Sequence, residues 1–147
     1  VVAELGASQG SRELQGMFQV TATAAPGKSL ADVHAAVMSA ISLVAEHGPT
    51  AAELVREQTH AEAGFLSRLQ TPGGFGGKAD QMKFYQTYLG KPDADDDDLN
   101  RYLDATPTSI RDAVSEWIKP ERAVLLSVVP AGHPELALPD SRRSEIA

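Results

Sequence analysis

Four histidines, a glycine-rich loop and a run of aspartates are the residues of this chain whose types suit chemistry, and each departs from the spacing that chemistry needs. The histidines are His34, His47, His60 and His133. A helical zinc site needs two histidines one turn apart with a glutamate beside one of them. Glu46-His47 supplies half of the inverted His-x-x-Glu-His pattern, but Leu43 stands where the first histidine belongs, and leucine cannot ligate a metal. His60-Ala61-Glu62 has the His-x-Glu spacing of a zinc deaminase, whose site is completed by cysteines, and the chain has none. Each histidine therefore reads as a surface or boundary residue, and no metal ligand is assigned.

The loop Gly73-Gly74-Phe75-Gly76-Gly77-Lys78 invites a phosphate-cradle reading. A phosphate-binding loop spaces its glycines by four residues and follows lysine with a hydroxyl residue. Here the spacing is one residue short and Ala79 follows the lysine. The segment reads as a flexible break between helices. The aspartates at 93 and 95–98 are contiguous, whereas a calcium loop alternates its ligands around a glycine and ends in a glutamate. They read as a solvated, acidic helix start that complements the helix dipole. No Gly-x-Ser-x-Gly elbow occurs, so no catalytic residue is assigned.

The composition narrows the function classes. At 147 residues the chain fits one domain with a sizeable core. A formal charge of −7 argues against nucleic acid and anionic membranes, which reward basic surfaces. The absence of cysteine excludes disulfides, thiolate metal sites and a cysteine nucleophile, and leaves the compartment open. No apolar stretch reaches the ~18 residues of a membrane span.

Residue periodicity supplies the elements that would position any site. Val1, Ala3, Leu5 and Ala7 alternate with Val2, Glu4, Gly6 and Ser8 as in a strand, and residues 8–16 read as a loop. Phe18, Val20, Ala22 and Ala24 alternate with Met17, Gln19, Thr21 and Thr23, which completes a hairpin covered on one side. After Pro26-Gly27, Ser29 and Asp32 have the spacing of a capping box. Leu30, Val33, Val37, Ile41 and Val44 then mark a helix that Gly48-Pro49 stops. Thr50 and Glu53 cap a second helix with Leu54, Ala61, Phe65 and Leu69 on one face, ending near Thr71-Pro72. A third is expected over Lys78–Leu89, presenting Met82, Tyr85, Tyr88 and Leu89. Beyond Gly90 and Pro92, the acidic start leads to Leu99, Tyr102 and Leu103. Thr106 or Thr108 caps the next helix, with Ile110, Val114 and Trp117 on its apolar face. The continuous apolar run over residues 123–129 predicts a buried central strand. The polar stretch after Pro130 reads as a tail or linker. Strands flanking a block of helices indicate an α+β domain, an antiparallel sheet with helices packed on one face.

The ordered landmarks carry a resemblance. Gly16-Met17-Phe18-Gln19-Val20-Thr21-Ala22-Thr23, Pro26-Gly27-Lys28-Ser29 and Gly48-Pro49-Thr50-Ala51-Ala52-Glu53-Leu54 resemble segments of the pitrilysin/insulinase-type zinc metallopeptidases, the inverzincins. Tyr88-Leu89-Gly90, Pro92-Asp93, Thr108-Ser109-Ile110 and Val128-Val129-Pro130 are similar to its later landmarks. The resemblance covers residues 1–130 and implies a metallopeptidase-type α+β domain, with 131–147 as tail or linker. It further implies the non-catalytic, C-terminal type of domain, which helps hold peptide for hydrolysis by a separate His-x-x-Glu-His domain. Zinc is then expected in that partner domain, on the same or a paired chain, and no cofactor in this one. The family's substrate-contacting arginine and tyrosine precede the first strand kept here, so the expected domain is truncated at its N-terminus and no substrate-binding residue is carried over. A non-enzymatic assembly or interaction protein of the same fold is the alternative.

Overall fold

The computed structural model describes residues 1–11 and 14–142. The fold is α+β: two antiparallel strands, then five α-helices, among the described residues. The chain divides into two compact units. One comprises Val1–Glu46 with Val114–Ala147, the other His47–Ala113.

In the first unit, β1 (Val2–Gly10) pairs with β2 (Met17–Ala24), with Leu5 opposite Ala22, Ala7 opposite Val20 and Gly10 opposite Met17. The register shifts between Val2 and Glu4. β1 runs on to Gly10, further than alternation suggested. Val20, Ala22 and Ala24 are half-buried while Gln19, Thr21 and Thr23 are exposed, as period two requires. Phe18 shares the apolar face but stays largely exposed.

A turn over residues 25–28 closes with the Lys28 N–H donating to the Ala25 carbonyl at 3.0 Å. Pro26 presets the first central position and Gly27, at φ +76°, supplies the second, which favours glycine. Helix α1 (Leu30–His47) follows. Its start is a reciprocal cap: the Asp32 N–H donates to Ser29 Oγ at 3.1 Å and the Ser29 N–H to Asp32 Oδ2 at 3.2 Å. Val33 is buried, and Leu30, Val37, Ile41 and Val44 are half-buried on the same stripe. Ser115, late in α5 (Pro107–Trp117), donates its hydroxyl to the Ala45 carbonyl at 2.8 Å. That bond satisfies one of the last-turn carbonyls of α1 that a helix leaves open.

Residues 123–129 correct the expectation of a buried central strand. They form no ladder, and Val124, Leu126 and Val128 are 95%, 85% and 81% exposed. Ser127 and Val129 lie half-covered on the alternate positions, and Ser127 Oγ accepts the Leu138 N–H at 3.2 Å. Apolar residues favour a strand only where a neighbouring edge meets their backbone groups. Neither β1 nor β2 takes that place here.

The second unit is helical. Gly48, at φ +72°, ends α1 in the left-handed conformation. A Cβ there would also stand 2.6 Å from the Pro107 carbonyl oxygen, so glycine is required twice over. Thr50 caps α2 (Ala51–Leu69) reciprocally with Glu53, whose Oε2 accepts the Thr50 N–H at 2.8 Å. Helix α3 spans Lys78–Leu89 and ends at Gly90, φ +70°. Helix α4 spans Asp95–Leu103, and α5 begins behind Thr106, whose Oγ1 accepts the Ser109 N–H at 3.1 Å. Of the two threonines offered by the sequence, Thr106 is the cap.

Phe65, Tyr85 and Ala94 are the buried apolar residues of this unit. Tyr85 donates its hydroxyl to Asp98 Oδ2 at 2.8 Å, joining α3 to α4. The Gln58 amide lies 2.9 Å from the Leu103 carbonyl and 3.2 Å from those of Tyr102 and Ala105. Helix α2 thereby ties itself to carbonyls at and just beyond the end of α4. Among the described residues no helix is long and apolar enough to cross a membrane.

Candidate functional site

Helices α2 and α4 border an open groove of about 350 Å³ in the helical unit, lined by His60, Ala61, Gly64, Phe65, Arg68, Asp98 and Tyr102. Its floor follows from helical spacing. Ala61, Phe65 and Arg68 fall on one stripe of α2, and Asp98 and Tyr102 sit one turn apart on α4. The Phe65 and Tyr102 rings meet edge to face with centroids 5.8 Å apart. The Arg68 guanidinium lies 4.2 Å from the Phe65 centroid, an attractive cation–ring geometry.

The charges divide into occupied and free groups. Asp98 is committed to Tyr85, and Arg101 stands 3.6 Å from its other oxygen. Burial, with the Asp98 hydrogen bond second, pushes the Tyr85 phenol up to about 12. Lys91 pairs with Asp97 at 2.6 Å, which raises the lysine's pKa. His60 stands 3.8 Å from Glu57. Arg68 forms no ion pair among the described residues, and its donors face an apolar floor without a carboxylate claimed. A guanidinium donates to carbonyls and carboxylates, a phenol donates and accepts, and an apolar floor suits apolar side chains. Tyr102, the one hydroxyl among the described residues lining the groove, has no histidine bonded to it.

The glycine-rich loop lies between α2 and α3, a break between helices as the sequence suggested, and it carries hydrogen bonds of its own. Lys78 N–H donates to the Thr71 carbonyl at 2.9 Å, Gly77 N–H to Gly74 at 3.3 Å, and Gly76 N–H to Asp80 Oδ2 at 3.2 Å. Gly74 and Gly76 sit at φ +84° and +77°. A Cβ on Gly77 would stand 2.6 Å from the Gly73 carbonyl oxygen and 2.7 Å from that of Thr71. The loop closes over its own backbone and leaves Phe75 wholly exposed.

The histidines stay apart. His34 is half-buried on α1, His47 is its exposed last residue, His60 borders the groove, and His133 lies 2.9 Å from Glu135. Leu43, one turn before His47, is 60% exposed and offers no donor, so the Glu46-His47 pair does not fit zinc. The described residues hold no group of three or more histidine or carboxylate side chains placed for a metal ion. Of the acidic run, Asp97 and Asp98 have the partners named above, while Asp96 and Asp97 are exposed. Arg68 and Phe75 were not assigned from the sequence. The groove joins residues far apart in the chain, such as Phe65 and Tyr102 on two different helices, which no local pattern encodes. Comparison of the chain with protein-family models, with curated proteins and with solved structures returned no match.

Proposed function

We propose that the chain is the non-catalytic, substrate-chamber domain of a zinc metalloendopeptidase, holding peptide for hydrolysis by a separate His-x-x-Glu-His domain. The observation that supports this reading most is local. Where the resemblance places a strand, a turn, a helix–helix junction and a capped second helix, the residues form β2, the Pro26-Gly27 turn, the Gly48 terminus and the Thr50–Glu53 box, in that order. A groove with a free guanidinium and an apolar floor suits a domain that holds polypeptide without cleaving it. Zinc and the general base belong to the partner domain, and this chain's part is to bind and position.

A non-enzymatic assembly protein of the same fold is the second reading, favoured by the exposed aliphatic side chains at 124, 126 and 128. Co-purification separates the two. The peptidase reading expects the chain to associate with a polypeptide carrying His-x-x-Glu-His, and the mixture to cleave peptide until a chelator is added. Association only with polypeptides that lack the motif favours the assembly reading. Chelator-sensitive cleavage by this chain alone contradicts a non-catalytic role.

A further inference from the structure

We propose that the glycine loop at 73–77 is a peptide-holding element, with the Phe75 ring taking an apolar side chain and the loop amides taking main-chain carbonyls of an extended peptide. This deepens the peptide-holding reading above and rests on it. Three observations converge on the loop. Phe75 is wholly exposed, although it is one of only four phenylalanines in the chain. The backbone that presents it is shaped by the loop's own hydrogen bonds and by glycines at positive φ. The N–H groups of Gly73, Gly74 and Phe75 find no acceptor among the described residues.

The occupant follows from what surrounds the ring. A Cβ added at Gly73, Gly74 or Gly76 meets nothing within 4 Å, so another backbone can approach the loop closely on either side of Phe75. One ring between side-chain-free residues offers far less than the roughly 800 Å² per partner that a stable folded interface buries. An extended peptide needs no such area: it contributes one apolar side chain to the ring and carbonyls to the free amides. Main-chain pairing makes recognition tolerant of sequence, as the holding of unfolded polypeptide requires. The charge of −7 favours uncharged or basic peptides over acidic ones.

Phe75→Trp in a Trp117→Phe background reports on the loop directly, because Trp117 is the one native tryptophan. Titration with an uncharged peptide rich in leucine and phenylalanine is expected to shift the emission of the introduced indole to the blue, and a glycine–serine peptide of equal length to leave it unmoved. By calorimetry, Phe75→Ala is expected to weaken the apolar peptide about tenfold. Gly74→Ala, strained at φ +84°, is expected to weaken it too while the thermal midpoint of the helical core holds. Equal affinity for wild type and Phe75→Ala overturns the assignment, as does wild type that binds no peptide. If Phe75→Ala binds like wild type while hydrolysis by the zinc-carrying partner stays chelator-sensitive, the loop assignment fails and the domain reading stands. If the loop binds peptide and no zinc-carrying partner yields hydrolysis, the loop assignment stands and the domain reading fails.

Discussion

Removing the hydroxyl of Tyr85 leaves Asp98 without its shortest hydrogen bond, in a place where water replaces it poorly. Tyr85→Phe is expected to lower the unfolding free energy by about 1–2 kcal/mol in urea titrations. The phenol's folded pKa, about 12, lies above its ordinary 10.0. Its contribution is therefore complete below pH 10 and lost as pH rises through about 12. Absorbance titration should find a tyrosine ionising near pH 12, and Tyr85→Phe should remove that step. The carboxylates of Asp32 and Glu53 move the other way, held below 3.8 and 4.5 chiefly by hydrogen bonds from Ser29 and Thr50. Their contribution is complete above those values and is lost as pH falls through the lowered ones. Glu53→Gln should flatten the acid limb of the thermal midpoint against pH.

Helices were legible in the sequence because each carries both a period and its punctuation. Val33, Val37, Ile41 and Val44 share a covered stripe of α1, and Thr50 with Glu53 marks the start of α2 to the residue. Thr50→Ala should cost about 1 kcal/mol in chemical denaturation. Gly48→Ala should cost more than that, since it adds a collision with the Pro107 carbonyl to the strain of a positive φ. The apolar run at 123–129 was legible as an extended segment but not as an unpaired one. A strand's partner lies elsewhere in space, and hydrophobicity alone does not name it. Leu126→Ser should change the stability of this chain by less than about 0.5 kcal/mol, because the side chain is 85% exposed. A loss of several kcal/mol on that substitution would mean the segment is buried in solution. In the glycine loop the break between helices was legible from glycine content, while the positive φ angles at Gly74 and Gly76 and the crowding at Gly77 were not.

At the scale of the chain, the histidines lie apart from one another, Asp98 joins α3 to α4 through Tyr85, and Asp97 pairs with Lys91. The groove of Arg68, Phe65 and Tyr102 and the ring of Phe75 are the surfaces on which the proposed peptide contacts rest. Arg68→Gln should weaken peptide binding and leave the unfolding midpoint nearly unchanged, since a cation over a ring at the surface contributes only about 0.5–1 kcal/mol. The most direct measurement follows one unfolded peptide through two mixtures. With the 147-residue chain alone, the account predicts saturable binding and an intact peptide. With a His-x-x-Glu-His polypeptide added, it predicts cleavage that a chelator abolishes and that Arg68→Gln and Phe75→Ala slow. No binding by the chain, or cleavage by the partner that is indifferent to its presence, would contradict it.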